Sequence, residues 1–191
     1  MQLVLASTSA YRKELLERFG LPFLTARPET DETPLPGEHP AATAERLAVD
    51  KARAVASDYP EALIIGSDQV AYLGEEQFGK PGTVGRAVAQ LLRMSGQTVI
   101  FHTAVALLDA RTGAFFCEGV QTRVRFRHLG EDEIRRYVER EMPLDCAGSA
   151  KSEGLGISLL EALSGDDPTA LVGLPLIALA RMLRQQGIQL P

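Results

Sequence analysis

The strongest constraint on this chain is an alternation: short apolar runs, each followed by a segment whose apolar residues recur at helical spacing. Leu3 to Ala6 is such a run and reads as a buried strand. It breaks at Ser7-Thr8-Ser9 into a helix from Ala10 to Phe19, with Leu15, Leu16 and Phe19 at helical spacing, Ser9 as N-cap and Gly20 as stop. Residues 25–39 carry Pro28, Glu29, Asp31, Glu32, Pro34, Pro36 and Glu38 and read as a loop. A second helix begins at Pro40, a residue suited to a first turn, and runs through Leu47, Lys51 and Val55 to about Asp58. Ala62 to Ser67 is the next buried strand, ending at Asp68-Gln69. After a loop around Gly74 to Gly82, residues 83–94 look helical and stop near Gly96. Val99 to Asp109 and Phe115 to His128 flank a turn over Asp109–Gly113 and read as a long antiparallel hairpin, with Phe101, Phe115, Phe116 and Phe126 as core. A charged helix over about 131–141, a Gly-rich loop over 147–156 and a C-terminal helix over about 172–186 follow. Strands alternating with helices, plus a hairpin, predict a mixed α/β sheet, in which ligand sites tend to sit beyond strand ends.

Composition narrows the function. The chain has 191 residues, 45% of them hydrophobic, enough for a full core and too apolar for disorder. No apolar run approaches the ~18 residues of a membrane span, and Met1 to Ser7 lacks the basic region of a secretion signal. Cys117 and Cys146 make neither a disulfide framework nor a zinc site, so a reduced, cytoplasmic protein is expected. A net charge of −5, from 20 Lys and Arg against 25 Asp and Glu, argues against broad nucleic-acid binding. A small phosphorylated ligand needs only a local cluster of cations.

Several segments could supply that cluster. The first strand-to-helix junction offers Ser7, Thr8 and Ser9 beside unpaired helix N–H groups, with Arg12 in the first turn as a bidentate phosphate ligand. Asp68 follows an apolar strand and Glu32 lies in an acidic loop; together they suit a hard divalent cation, which takes one or two carboxylates plus substrate phosphates. Lys51 and Lys80 are candidate phosphate contacts. Taken singly, each also has a bland reading: a capped helix, a turn aspartate, a solvated loop acid, two surface lysines. Gly74 to Lys80 matches the opening of a P-loop, but Pro81 replaces the metal-binding Ser/Thr and two acids precede it, so an ATPase P-loop is rejected. The loop from Ala147 to Gly156 allows close backbone approach or is a flexible turn. His39, His102 and His128 show no metal-ligand spacing, and no Gly-x-Ser-x-Gly is present, which disfavours covalent hydrolase chemistry.

Taken in order, Leu5-Ala6-Ser7-Thr8-Ser9-Ala10-Tyr11-Arg12, Asp31-Glu32, Ala48 to Ala52, Gly66-Ser67-Asp68-Gln69-Val70, Gly79-Lys80-Pro81, Ala147-Gly148-Ser149 through Gly154, and Asp167-Pro168 through Pro175 resemble the Maf family of nucleoside triphosphate pyrophosphatases. The ordered set spans nearly the whole chain and outweighs the bland readings of Arg12, Glu32, Lys51, Asp68 and Lys80. The resemblance implies one domain over 1–191, with an elongated mixed sheet flanked by helices and two lobes around a central cleft, similar to inosine triphosphate pyrophosphatases. It also implies hydrolysis of a nucleoside triphosphate to the monophosphate and pyrophosphate with a divalent metal, Mg²⁺ ahead of Mn²⁺, and points to a homodimer. Asp68 takes the place of the catalytic proton acceptor and Glu32 that of a second metal-facing acid. Ser7, Arg12, Lys51 and Lys80 fall at phosphate-facing positions.

Three positions separate the family's branches. The branch acting on dTTP and UTP typically reads Ser-Pro-Arg-Arg, Asp-Thr-Val and a late-loop glutamine. This chain has Ser9-Ala10-Tyr11-Arg12, Asp68-Gln69-Val70 and Glu153, which resembles the 7-methyl-GTP branch, where an aromatic residue, commonly Trp, precedes the arginine. Chemistry favours the same branch. N7-methylation makes guanine a cation, which an aromatic face such as Tyr11 attracts by ~0.5–2 kcal/mol. A carboxylate such as Glu153 accepts charge-assisted hydrogen bonds from guanine N1–H and N2–H₂, whereas uracil and thymine offer a single donor flanked by acceptors. Gln69 is placed to bond base or sugar. The expected reaction is therefore 7-methyl-GTP to 7-methyl-GMP and pyrophosphate. The rival expectations are a dTTP, UTP or modified-nucleotide pyrophosphatase of the same family, and a non-catalytic nucleotide-binding regulator of septum formation.

Overall fold

The computed structural model describes residues 2–190; Met1 and Pro191 lie outside the described residues. Seven strands share one sheet: β1 (Gln2–Ala6), β2 (Leu24–Ala26), β3 (Ala62–Leu73), β4 (Glu76–Phe78), β5 (Thr98–Asp109), β6 (Phe115–Phe126) and β7 (Leu160–Gly165). Their order is β2-β1-β3-β5-β6-β7, with β4 beside the far end of β3. β1 pairs in parallel with β2 and β3, and the remaining pairings are antiparallel, so the sheet is mixed, as the alternation predicts. The helices are α1 (Ala10–Glu17), α2 (Pro40–Ala54), α3 (Val84–Met94), α4 (Glu131–Glu141) and α5 (Leu176–Gln185).

Period-two alternation along β3 sorts its side chains between two layers. Leu63 and Ile65 pack with Leu15, Leu16, Leu179 and Leu183 of α1 and α5. Ala62 and Ile64 pack on the other face with Ala52 of α2 and with Val55. Each fully buried leucine or isoleucine contributes roughly 1.5–3 kcal/mol. The ends of the helices follow local chemistry: the Ser9 hydroxyl accepts from the Arg12 N–H at 3.4 Å, and Gly20 closes the turn at a φ of 65°. Thr83 caps α3 through the Arg86 N–H in the same way.

Four expectations need correction. β3 does not end at Ser67; it continues to Leu73, with Asp68 opposite Ala104 and Gln69 opposite Thr103 in the ladder. The long β5 partner supports hydrogen bonding past the point where apolar residues give out. The segment 74–82 is not wholly loop: β4 folds back on β3, so Gly74 to Lys80 is a hairpin turn and strand rather than a phosphate loop opening a helix. Phe101 and Phe126 are 1% exposed, but Phe115 and Phe116 are 43% and 41% exposed near the tip of the β5–β6 hairpin, where Phe115 meets the Arg53 guanidinium of α2 at 4.9 Å rather than an apolar layer. The short strands β2, read as loop, and β7 carry no apolar pattern to announce them: neither has a buried residue, and both are edge strands held by pairing.

Candidate active site

The site begins where the sheet loses a strand. β1 accompanies β3 from Ala62 to Ile65, and β4 accompanies it from Ala71 to Leu73. Between them, Gly66 to Val70 pairs with β5 on one side and, among the described residues, with no strand on the other. Asp68 sits in the middle of this open edge. Gly66 lets α2 close over it: a Cβ there would lie 2.0 Å from the Ala48 carbonyl oxygen and 2.9 Å from the Ala52 nitrogen. That close approach carries Lys51 of α2 over the strand.

Lys51 joins two acids. Its Nζ lies 2.6 Å from Asp68 Oδ1 and 2.7 Å from Glu32 Oε1, with Lys51 and Asp68 buried and Glu32 half-exposed. Burial works to raise the Glu32 pKa, but the hydrogen bond and charge of Lys51, then Lys80, then Arg12, outweigh it and hold the carboxyl below its usual value. Burial lowers the Arg12 guanidinium, opposed by the charges of Asp68 and Glu32. Three cations and two acids, from five separate segments, thus share one electrostatic neighbourhood. Of the phosphate candidates, Ser7 is buried and its Oγ accepts from the Ser9 N–H at 3.1 Å, shaping the turn ahead of α1.

The segment from Asp167 to Gly173 aims the arginine. Arg12 Nε donates to the Gly173 carbonyl at 2.8 Å, which leaves the guanidinium's terminal nitrogens to meet a ligand. Gly173 has a φ of 123°, reserved for glycine, and Ser67 Oγ donates to the same carbonyl at 2.9 Å. Asp167 braces the segment, accepting from the Thr169 N–H at 2.9 Å and the Ile177 N–H at 2.7 Å. Gln69 belongs to this brace. Being one residue from Asp68 on a strand, it projects to the opposite face, and its Nε2 donates to Thr103 Oγ1, Ala170 O and Leu171 O at 2.8, 3.1 and 3.0 Å.

The Gly-rich loop is pinned rather than free. The Tyr137 hydroxyl donates to Ser149 O at 3.1 Å and accepts from the Lys151 N–H at 3.0 Å. Ser149 Oγ reaches Gln90 at 2.5 Å, and Glu141 accepts from the Leu155 N–H at 2.7 Å. Glu153 is exposed on this loop. Tyr11 faces it: the Lys151 ammonium stands 5.4 Å from the Tyr11 ring centroid. Burial and the charges of Cys146 and Asp145 raise the Tyr11 hydroxyl against the pull of Lys151. Sequence reasoning gave no role to Lys151, Glu141 or the Gly173 carbonyl; their signals are a lysine two residues before Glu153 and a glycine ahead of Leu174-Pro175, neither specific alone. Cys146 and Cys117 are both free, with burial pushing their thiols up to about 12 and about 11. Two surface grooves, along Cys117 between β6, α2 and α5, involve none of these site residues.

Glu32 and Asp68 present hard oxygen donors on either side of one ammonium, a set that fits a divalent cation completed by substrate phosphates. Among the described residues no group of three or more His, Cys, Asp or Glu forms a self-sufficient metal cage.

A central strand left without one neighbour around Asp68, with cations and acids converging on it from α1, α2 and two loops, defines a phosphate-handling α/β protein. Residues 2–186 match the Maf-like protein family, and the chain belongs to it. It is 72% identical over 190 residues to a 7-methyl-GTP pyrophosphatase of Aromatoleum aromaticum, covering 100% of this chain and 98% of that protein. Proteins of the same name from a Polaromonas species and Thiobacillus denitrificans are 58% and 56% identical, covering 98% and 97% of this chain and 86% and 92% of theirs.

Proposed function

We propose that this protein hydrolyses 7-methyl-GTP to 7-methyl-GMP and pyrophosphate. The observation that carries the proposal is the Lys51 ammonium bridging Asp68 and Glu32 within the field of Arg12 and Lys80. Such a cluster supports phosphoryl chemistry on a polyphosphate, and the shared name of the relatives supports the particular base.

In this reading Lys51 holds Asp68 Oδ1, and Oδ2 accepts the proton of a water that attacks the α-phosphorus in line. Arg12, Lys51 and Lys80 offset the charge that builds on the departing pyrophosphate, the contribution that dominates phosphoryl transfer. Ser7 shapes the turn that sets the α1 N-terminus against the phosphates. Glu32 and Asp68 are the residues that would hold Mg²⁺ or Mn²⁺, which when bound supplies charge neutralisation and lowers the pKa of a coordinated water. Tyr11 offers a face for a cationic base and Glu153 an acceptor for its N–H groups, while Gln69 steadies the segment that aims Arg12. Among the described residues no helix is long and apolar enough to cross a membrane. The homodimer that the family resemblance implies is part of the same proposal.

The deciding experiment measures pyrophosphate release from 7-methyl-GTP, GTP, UTP and dTTP with Mg²⁺ and with Mn²⁺. The expected result is the highest kcat/KM for 7-methyl-GTP. Higher values for UTP and dTTP would move the protein to the other branch, and tight binding without turnover would make it a nucleotide sensor.

A further inference from the structure

We infer that Lys151 is a further specificity residue, donating to the ring carbonyl O6 of a 6-oxopurine while Glu153 accepts from the base's N1–H and N2–H₂. The inference rests on the proposed role of Tyr11 and Glu153 in holding the base.

The argument starts from the edge of the base. Guanine, methylated at N7 or not, presents an acceptor at O6 followed by two donors at N1 and N2. A carboxylate satisfies the two donors but stands near the electron-rich O6, which a single acidic side chain leaves unread. A donor on the O6 side completes the match, and a cationic donor makes the stronger bond. Adenine presents the reverse pattern, a donor amino group at C6 and an acceptor at N1, so an ammonium and a carboxylate side by side oppose it twice.

Lys151 meets the geometric demands of that donor. Its Nζ already lies 5.4 Å from the centroid of the Tyr11 ring, the platform assigned to the base. It precedes Glu153 by two residues on the same loop, and both side chains act electrostatically on the Cys146 thiol, which places the ammonium and carboxylate in one neighbourhood. The Lys151 side chain is 25% exposed, partly open to solvent rather than inside the core.

Glu141 at the end of α4 is its positioning residue. One carboxylate oxygen lies 3.0 Å from Lys151 Nζ, and the other accepts from the Leu155 N–H at 2.7 Å. The two ends of the span carrying Glu153 are therefore tied to a single side chain. Gly154 permits this closeness, since a Cβ there would lie 2.7 Å from Glu141 Oε2. The hydrogen bond to Glu141 also raises the Lys151 pKa, so the donor is charged throughout the working pH range.

The test compares the wild-type protein with Lys151→Met and Lys151→Arg, using KM for 7-methyl-GTP, GTP and ITP and the inhibition constant of ATP. Loss of one charge-assisted hydrogen bond predicts a rise of about tenfold in KM for all three 6-oxopurines in Lys151→Met. The ATP constant should stay level or fall, and Lys151→Arg should restore most of the preference. An equal rise for all four nucleotides would make Lys151 a phosphate ligand and overturn the assignment. So would no change, or tighter 7-methyl-GTP binding, which would mean the ammonium competes with the cationic base. A wild-type protein that treats all four alike overturns the base reading itself and this assignment with it; a selective wild type separates the two. Should Lys151→Met fail to fold, Lys151→Gln, which keeps the length and removes the charge, carries the same expectations.

Discussion

The two halves of β3 contrast within one strand. From Ala62 to Ile65 it is flanked by β1 and β5, every side chain is apolar, and every residue is buried. From Gly66 to Val70 it keeps β5 but has no second strand partner among the described residues, and there the sequence turns to Gly, Ser, Asp and Gln. A fully paired strand between two packed layers tolerates little besides hydrocarbon, since each buried polar group must find a partner. An open edge relaxes that demand on one side, and the polar side chains there bind helices and loops that a third strand would displace. The first half holds the molecule together; the second organises chemistry.

The largest effect that would sharpen this contrast is expected from Asp68→Asn. Turnover should fall by about 10²–10⁴-fold, the usual share of a proton acceptor, while nucleotide binding persists, as read by pyrophosphate release beside equilibrium titration. Wild-type turnover would remove Asp68 from the mechanism. In the first half, Ile65→Ala should do the reverse. Deleting a buried isoleucine next to Leu63 and Leu179 should cost ~2–5 kcal/mol in denaturant unfolding, with kcat per folded molecule unchanged.

Gly66→Ala falls at the junction of the two regimes and should damage both. Its methyl would meet the backbone of α2, so α2 must shift and take Lys51 with it; a loss of about 1–3 kcal/mol accompanied by reduced kcat is expected. A change in stability alone would show that the Lys51 position tolerates displacement. Smaller again is Glu153→Gln, which should cut the preference for 7-methyl-GTP over UTP by about tenfold with little change in melting temperature. An unaltered ratio would take Glu153 out of base selection.

The smallest effect concerns pH. The Glu32 carboxyl is held below its usual value in the folded state, so its attraction to Lys51 stabilises the fold above the ordinary carboxylate pKa. That contribution disappears as the pH falls through the lowered folded value. Lys51→Met removes the partner, and melting temperature against pH should then flatten on its acid limb. An acid limb as steep as in the wild type would mean that other carboxylates dominate it.

The residues of the site were legible in different degrees. Ser9, Pro40 and Thr83 announce their helix starts because a cap is a local hydrogen bond, readable from a few neighbouring residues. The charged helix Glu131–Glu141 and the long hairpin likewise follow from periodicity. Asp68 was visible as an acid after an apolar run, but it lies within a strand rather than after one, because β5 continues the ladder. Phe115 and Phe116 share the composition of the core and lie outside it, since hydrophobicity does not reveal whether another layer arrives to cover a side chain. Lys151 and Glu141 carried no specific signal: their pairing joins two segments ten residues apart through the shape of a loop.

The amino-acid order alone determined the succession of strands and helices, where the helices begin, and which charged residues could serve a phosphate. Each of these depends on interactions within a few residues or on one element's own period. Only the tertiary structure decided that Lys51 would bridge Glu32 and Asp68, that Gln69 would turn away from Asp68 to brace Ala170 and Leu171, and that Lys151 would stand over Tyr11. Those outcomes depend on where β1 stops and how closely α2 can rest on Gly66, and such distances are set by packing between elements far apart along the chain.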